Sequence, residues 1–148
     1  MKTVATILGA PVKVDRMTWL PLDPLVVWGV MAVLAGRKRP QRNLAKRVTV
    51  GAVAMPLVVG AEWGHNLAHM ATGELIGKPV DEMRIYGGMP RLVCTEESDR
   101  AVAPRQHILR SLGGPLFNGL AVLSSMFYCL AWYTARTVRI LSCRRHPG

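Results

Sequence analysis

The sequence predicts an all-α membrane protein with about three transmembrane helices and a small β-hairpin between the second and the third. Half of the 148 residues are hydrophobic (50%), yet the formal net charge is +10, which is an unusual combination for a soluble domain with one core. Three apolar segments stand out, near residues 19–36, 48–72 and 111–135, and a loop at about 73–107 separates the last two. We therefore treat residues 1–148 as a single membrane domain.

The positive charge does not by itself indicate a nucleic-acid surface. Aromatic residues make up only 6% of the chain, and there is no glycine-rich phosphate loop, zinc knuckle or interleaving of basic and aromatic residues. We therefore expect membrane lipid, and no nucleic acid, among the partners.

The first apolar segment, residues 19–36, gives the weakest signal of the three. Asp23 and two prolines lie near its start, whereas residues 25–35 are entirely apolar. We expect it to cross the membrane and to lead into a short solvated loop. That loop, residues 37–47, contains six basic residues and no acidic residue: Arg37, Lys38, Arg39, Arg42, Lys46 and Arg47.

The second segment has no charged residue between positions 48 and 61 and continues to about position 72. Pro56 lies inside it and predicts a kink, because proline removes a backbone hydrogen bond from a helix. In residues 81–86 polar and apolar side chains then alternate, Gly87 and Gly88 permit a tight turn, and residues 91–94 read as a second short strand. This pattern predicts the small β-hairpin.

The third segment gives the strongest signal of a membrane span. No charged residue occurs between Arg110 and Arg136, and residues 111–135 at ~1.5 Å each are long enough to cross a ~30 Å hydrocarbon layer. We therefore expect an integral protein of the plasma membrane. Its orientation stays undecided, because the predicted spans place ten of the basic residues on one side and nine on the other.

The second segment also carries the residues that suggest chemistry. His65 and His69 lie ~40° apart on one helix face, and Glu62 lies ~60° from His65 on the same side. Ionisable groups cost free energy inside a membrane helix, and two histidines at i and i+4 have the spacing of known zinc ligands. We predict a zinc site with ligands His65, His69 and Glu62. Two alternatives stay open: Glu62 orients His65, or the three side chains only hydrogen-bond one another.

The segment GHNLAHMATGELIGKPVDEMRIYGGMPRL, followed by RQHILRSLGGPLFNGL, resembles the core of the site-2 protease family of intramembrane zinc metalloproteases. That family has H-E-x-x-H on a membrane helix, then a β-hairpin segment, then G-P-x-x-N at the start of the next helix. His65 and His69 match its histidine ligands, and the resemblance covers about residues 60–125. It implies bound zinc and a peptide contact at the second motif: Gly114, Pro115 and Asn118.

Two features depart from that family. Asn66 stands where the family has its catalytic glutamate, and an amide does not take up a proton at neutral pH. No acidic residue follows Asp99, so we expect the helix that carries the family's aspartate ligand to be absent. The sequence therefore predicts a degenerate, non-proteolytic metalloprotein in the membrane, which binds zinc and a membrane peptide or protein partner.

Two other functions stay open at this point, so the sequence does not decide whether the chain is an enzyme. The first is an active intramembrane zinc metallopeptidase with a rearranged site, in which Glu62 serves as base or ligand and Asn66 stands at the usual position of the base. The second is a small membrane protein without metal.

Overall fold

The computed structural model describes residues 1–15, 17, 20–95 and 102–144. Within these ranges the chain forms four strands and three helices, and all seven elements follow in chain order: β1 (Lys2–Ile7), β2 (Ala10–Val14), α1 (Leu22–Lys38), α2 (Leu44–Leu75), β3 (Glu82–Tyr86), β4 (Met89–Val93) and α3 (Pro104–Arg144).

The prediction of an all-α fold is wrong, because the four strands form one mixed sheet in the order β1-β2-β3-β4. β1 pairs antiparallel with β2, β2 pairs parallel with β3 through Val12 and Met83, and β3 pairs antiparallel with β4. The strands that follow α2 are therefore one half of a four-stranded sheet, and the prediction of a small β-hairpin between the second and third helices is corrected. Residues 1–15 supply the other half.

A buried cluster joins the sheet to α2. Ala10 and Val12 of β2, Met83 of β3 and Val80 pack against Met70, which lies on α2 one residue after His69. Met70 and Met83 are 1% and 0% exposed. Because apolar burial is the main favourable term in folding, this cluster fixes the sheet beside the turns of α2 that carry the histidines.

A buried carboxylate strengthens the parallel junction between β2 and β3. Glu82 is 7% exposed and forms ion pairs with Lys13 of β2 and Arg84 of β3. The hydrogen bond from Lys13, assisted by Arg84, lowers the pKa of Glu82 below its ordinary value of 4.5, although burial acts in the opposite direction. The carboxylate therefore stays charged while it links two strands that are distant in sequence.

Two helices of the described part are long and apolar enough to cross a membrane: α2, and α3 as far as Thr137. The first predicted span, residues 19–36, corresponds to α1, which has 17 residues and Asp23 in its first turn. That length lies at the lower limit of about 17 to 25 residues for a crossing helix. The predicted boundaries also shift, because α3 begins at Pro104 and includes Pro115 in its interior.

Small residues let α2 approach both of its neighbours. A Cβ atom at Gly51 would lie 2.7 Å from the carbonyl oxygen of Trp28 on α1, and the indole nitrogen of Trp28 donates to the carbonyl of Val48 at 3.1 Å. On the side of α3, a Cβ at Gly64 would overlap the ring of Phe117. Glycine at such positions is the usual device for close packing of membrane helices.

Candidate metal site

His65 and His69 point towards each other from successive turns of α2. Their Nε2 atoms lie 3.1 Å apart, and the ring planes make an angle of 79°. Two nitrogen ligands that each lie ~2.0–2.1 Å from a tetrahedral zinc ion are about 3.3 Å from each other. The two nitrogens thus already have nearly the separation that a shared ion requires.

The ring of His69 is oriented by the neighbouring helix. Its Nδ1 lies 2.8 Å from the backbone carbonyl oxygen of Arg110 on α3, and the hydroxyl of Thr72 lies 3.2 Å from the same oxygen. A carbonyl only accepts hydrogen bonds, so this contact requires the ring proton on Nδ1, and a neutral ring then has its lone pair on Nε2. Histidines that bind metals commonly donate their other ring nitrogen to such an acceptor.

Glycine leaves the space in which the two rings sit. Gly114 on α3 is buried, and a Cβ atom there would overlap the imidazoles of both His65 and His69. At the preceding residue, Gly113, a Cβ would lie 2.5 Å from the hydroxyl oxygen of Thr72 and 2.6 Å from the carbonyl oxygen of Ala68. The sequence Gly113-Gly114 is therefore where α3 closes over the histidine pair.

One polar atom of the site is left without a partner. Nδ1 of His65 is buried and makes no hydrogen bond with any residue that the structure describes. Burying an unpaired polar group typically costs about 1 to 3 kcal/mol. His69 thus has hydrogen-bond contacts at both ring nitrogens, whereas His65 has one only at Nε2, through His69.

Glu62 and Asn66 form their own contact beside the histidines. The side-chain amide of Asn66 donates to the carboxylate of Glu62 at 3.1 Å and to its backbone carbonyl at 2.9 Å. Within the described ranges, no three side chains of His, Cys, Asp or Glu lie close enough together to hold one metal ion. The structure thus brings together His65 and His69 but not Glu62, whose role as the third ligand stays a prediction.

All four of these side chains line one open cavity of about 740 Å³. β4 contributes to its wall through residues 89–92, and α1 contributes Asp23. Asp23 is half-buried, and its backbone N–H donates to the carbonyl of Gly87 at 3.0 Å, so the turn between β3 and β4 anchors this end of α1. A second acidic residue therefore lines the cavity from another helix, and its carboxylate lies against Gly87.

Asp23 is a cavity residue that the sequence did not predict. In the sequence it only weakens the first apolar segment as a membrane span, and no spacing along the chain connects position 23 with position 65. The other predicted contacts lie elsewhere: Pro115 and Asn118 are exposed on α3 and do not line the cavity. Of the G-P-x-x-N element, Gly114 is the residue that touches the histidines.

The comparisons with known proteins give no relative for this chain: no family model, curated protein or solved structure matches it.

Proposed function

We propose that this chain is a membrane-embedded metalloprotein that holds zinc between His65 and His69 and binds a peptide segment of a membrane partner without hydrolysing it. The observation that carries the proposal is the histidine pair, whose Nε2 atoms are 3.1 Å apart and whose second ring is oriented by the carbonyl of Arg110. Hydrogen bonding between the imidazoles accounts for their distance, but it does not account for a cavity that two acidic residues, Glu62 and Asp23, also line.

The membrane location is supported by the surfaces of α2 and α3. Only 6% of the apolar 18-residue stretch in each helix is buried within the protein. Large apolar side chains are instead exposed along α3, among them Leu120 at 64% and Phe127 at 72%. Soluble monomers rarely expose such continuous apolar surface, so this surface supports an integral membrane protein.

Zinc suits the donor set because neutral imidazole nitrogens are common ligands of this ion. Bound zinc would act as a Lewis acid that polarises a carbonyl group. Catalytic sites normally have three protein ligands, and the two histidines leave the remaining positions to Glu62, to water or to a group of the bound partner. We therefore expect modest affinity for zinc unless a carboxylate joins the pair.

The residue that follows His65, Asn66, supports the absence of hydrolysis. Asn66 cannot serve as a general base, and its amide nitrogen is engaged with Glu62. Losing a positioned base typically lowers the rate about 10²- to 10⁴-fold. The order of the H-x-x-x-H, β-strand and G-P-x-x-N segments resembles the site-2 protease family, and this likeness supports peptide binding without hydrolysis.

Two measurements on the purified full chain test the proposal. Metal analysis should find zinc in the wild type and a strong reduction in His65→Ala and His69→Ala. Incubation with a reconstituted single-span membrane substrate should show no cleavage, and Asn66→Glu should not restore full activity. Absence of zinc from the wild type would favour a membrane protein without metal. Zinc-dependent cleavage that His65→Ala abolishes would favour an active peptidase that uses Glu62.

A further inference from the structure

A groove runs along the N-terminal half of α2, away from the histidine pair. It has a volume of about 760 Å³, and its lining is polar at one end and apolar at the other. Among the side chains that form it are Arg42, Lys46 and Thr49, followed by Val50, Val53 and Leu57.

The groove lies on a face of α2 that α1 does not cover. Lys46, Val50, Val53 and Leu57 are separated by three or four positions, so they form one stripe on the helix. Val53 and Leu57 are 62% and 71% exposed. The apolar end of the groove is therefore open to whatever surrounds the helix.

The polar end carries positive charge that the described part of the protein does not neutralise. Arg47 is used within the loop, where it donates to the backbone carbonyls of Arg42 and Pro40 at 2.8 Å each. In contrast, the side chains of Arg42 and Lys46 form no ion pair with a described acidic residue. The cations at the mouth of the groove thus match an anionic group from outside the protein.

We infer that this groove binds one anionic phospholipid, with the phosphate between Arg42 and Lys46 and an acyl chain along Val50, Val53 and Leu57. The apolar wall from Val50 to Leu57 extends about 10 Å along the helix axis, which fits within the ~15 Å depth of one hydrocarbon leaflet. Basic residues beside a membrane helix attract anionic lipids. The inference rests on the proposed membrane location and is independent of zinc.

The test uses the full chain in a nonionic detergent, titrated with phosphatidylglycerol or with phosphatidylcholine, and bound lipid is counted by native mass spectrometry. The wild type should prefer phosphatidylglycerol. The double variant Arg42→Gln/Lys46→Gln should lose affinity by roughly fivefold for each charge removed. The matched control Arg37→Gln/Lys38→Gln removes two charges from the last turn of α1, outside the groove, and it should retain the affinity of the wild type.

A second arm tests the apolar end without changing any charge. Val53→Trp should fill part of the groove and weaken phosphatidylglycerol binding, while circular dichroism checks that the variant keeps its helix content. Equal losses in the two double variants, an unchanged Val53→Trp, or competition by inorganic phosphate as strong as that by the lipid would each overturn the inference. Failure of the membrane location would show separately, as release of the wild type from membranes by alkaline carbonate.

Discussion

Nδ1 of His69 lies 2.8 Å from the backbone carbonyl oxygen of Arg110, so a residue of α2 depends on α3 for the orientation of its ring. The contact leaves Nε2 of His69 directed at Nε2 of His65. Any change that moves α3 relative to α2 should therefore alter metal binding, even when both histidines are intact.

The first prediction concerns Gly114→Ala. The added methyl group would overlap both imidazoles, and because the rings can rotate away, the variant should fold but lose the Nε2 separation of 3.1 Å. Zinc affinity, measured by competition with a chelator, should fall at least tenfold, in the range typical of lost support around a metal ligand. Gly119→Ala is the matched control, since a Cβ there meets nothing within 4 Å. Unchanged affinity in Gly114→Ala would argue against a site between these rings.

The second prediction concerns the stability of the contact between α2 and α3. In Gly113→Ala the new Cβ would lie 2.6 Å from the carbonyl oxygen of Ala68, which is backbone and cannot rotate aside. Overpacking of this kind typically costs about 1 to 3 kcal/mol. We expect a lower unfolding temperature in detergent than for the wild type or for Gly119→Ala. Equal unfolding temperatures for the two alanine variants would show that the helices are not in close contact at Gly113.

The third prediction concerns Glu62. A divalent cation should draw its carboxylate away from the amide of Asn66, because a charged ligand gains more from the ion than from a neutral donor. Glu62→Gln should then weaken zinc binding about as much as His69→Ala does. Glu74→Gln, which changes an exposed acid at the end of α2, is the control.

The size of the effect discriminates between the possible roles of Glu62. A loss of only about 10- to 100-fold would indicate that Glu62 positions a ligand and does not bind the ion itself. No loss would remove it from the site, and Asp23→Asn would then test the other carboxylate that lines the cavity.

The fourth prediction concerns pH. The lowered pKa of Glu82 means that its ion pairs with Lys13 and Arg84 stabilise the folded state above the ordinary value of 4.5. This contribution should be lost as the pH falls from 4.5 through the lowered pKa, because the folded state must then take up a proton. Unfolding temperatures followed from pH 7 downward should therefore decrease less for Glu82→Gln than for the wild type. Glu74→Gln should follow the wild type, and a parallel decrease in all three proteins would contradict the prediction.

Local spacing was enough to predict that the two histidines lie side by side. The i, i+4 separation places His65 and His69 on one face of any helix, and the structure pairs their Nε2 atoms accordingly. The Gly87-Gly88 turn could also be predicted from the residue types, because glycine readily adopts positive φ. In the structure the two glycines have φ values of 59° and 86°. In these cases the information lies within a few residues of the chain.

Contacts between distant residues could not be predicted in this way. Val12 pairs with Met83 across 71 positions, and the residue pattern of neither segment indicates that the two strands pair in parallel. The same holds for Asp23, which lines the cavity and whose backbone N–H donates to the carbonyl of Gly87, a residue distant in the chain. The fold class was therefore predicted wrongly from segments that were each interpreted by themselves.

The hydrogen bonds between β2 and β3 also restrict how the chain can pass through a bilayer. Strands that pair directly must lie on the same side of it, so the chain between Val14 and Glu82 makes an even number of passages. If α2 crosses the bilayer, a second segment between Val14 and Glu82 must cross it as well. The other described helix in this interval is α1, which has 17 residues and a length of about 25 Å. The N-terminal strand and the strands beside the cavity consequently share one compartment, and locating the N-terminus locates both.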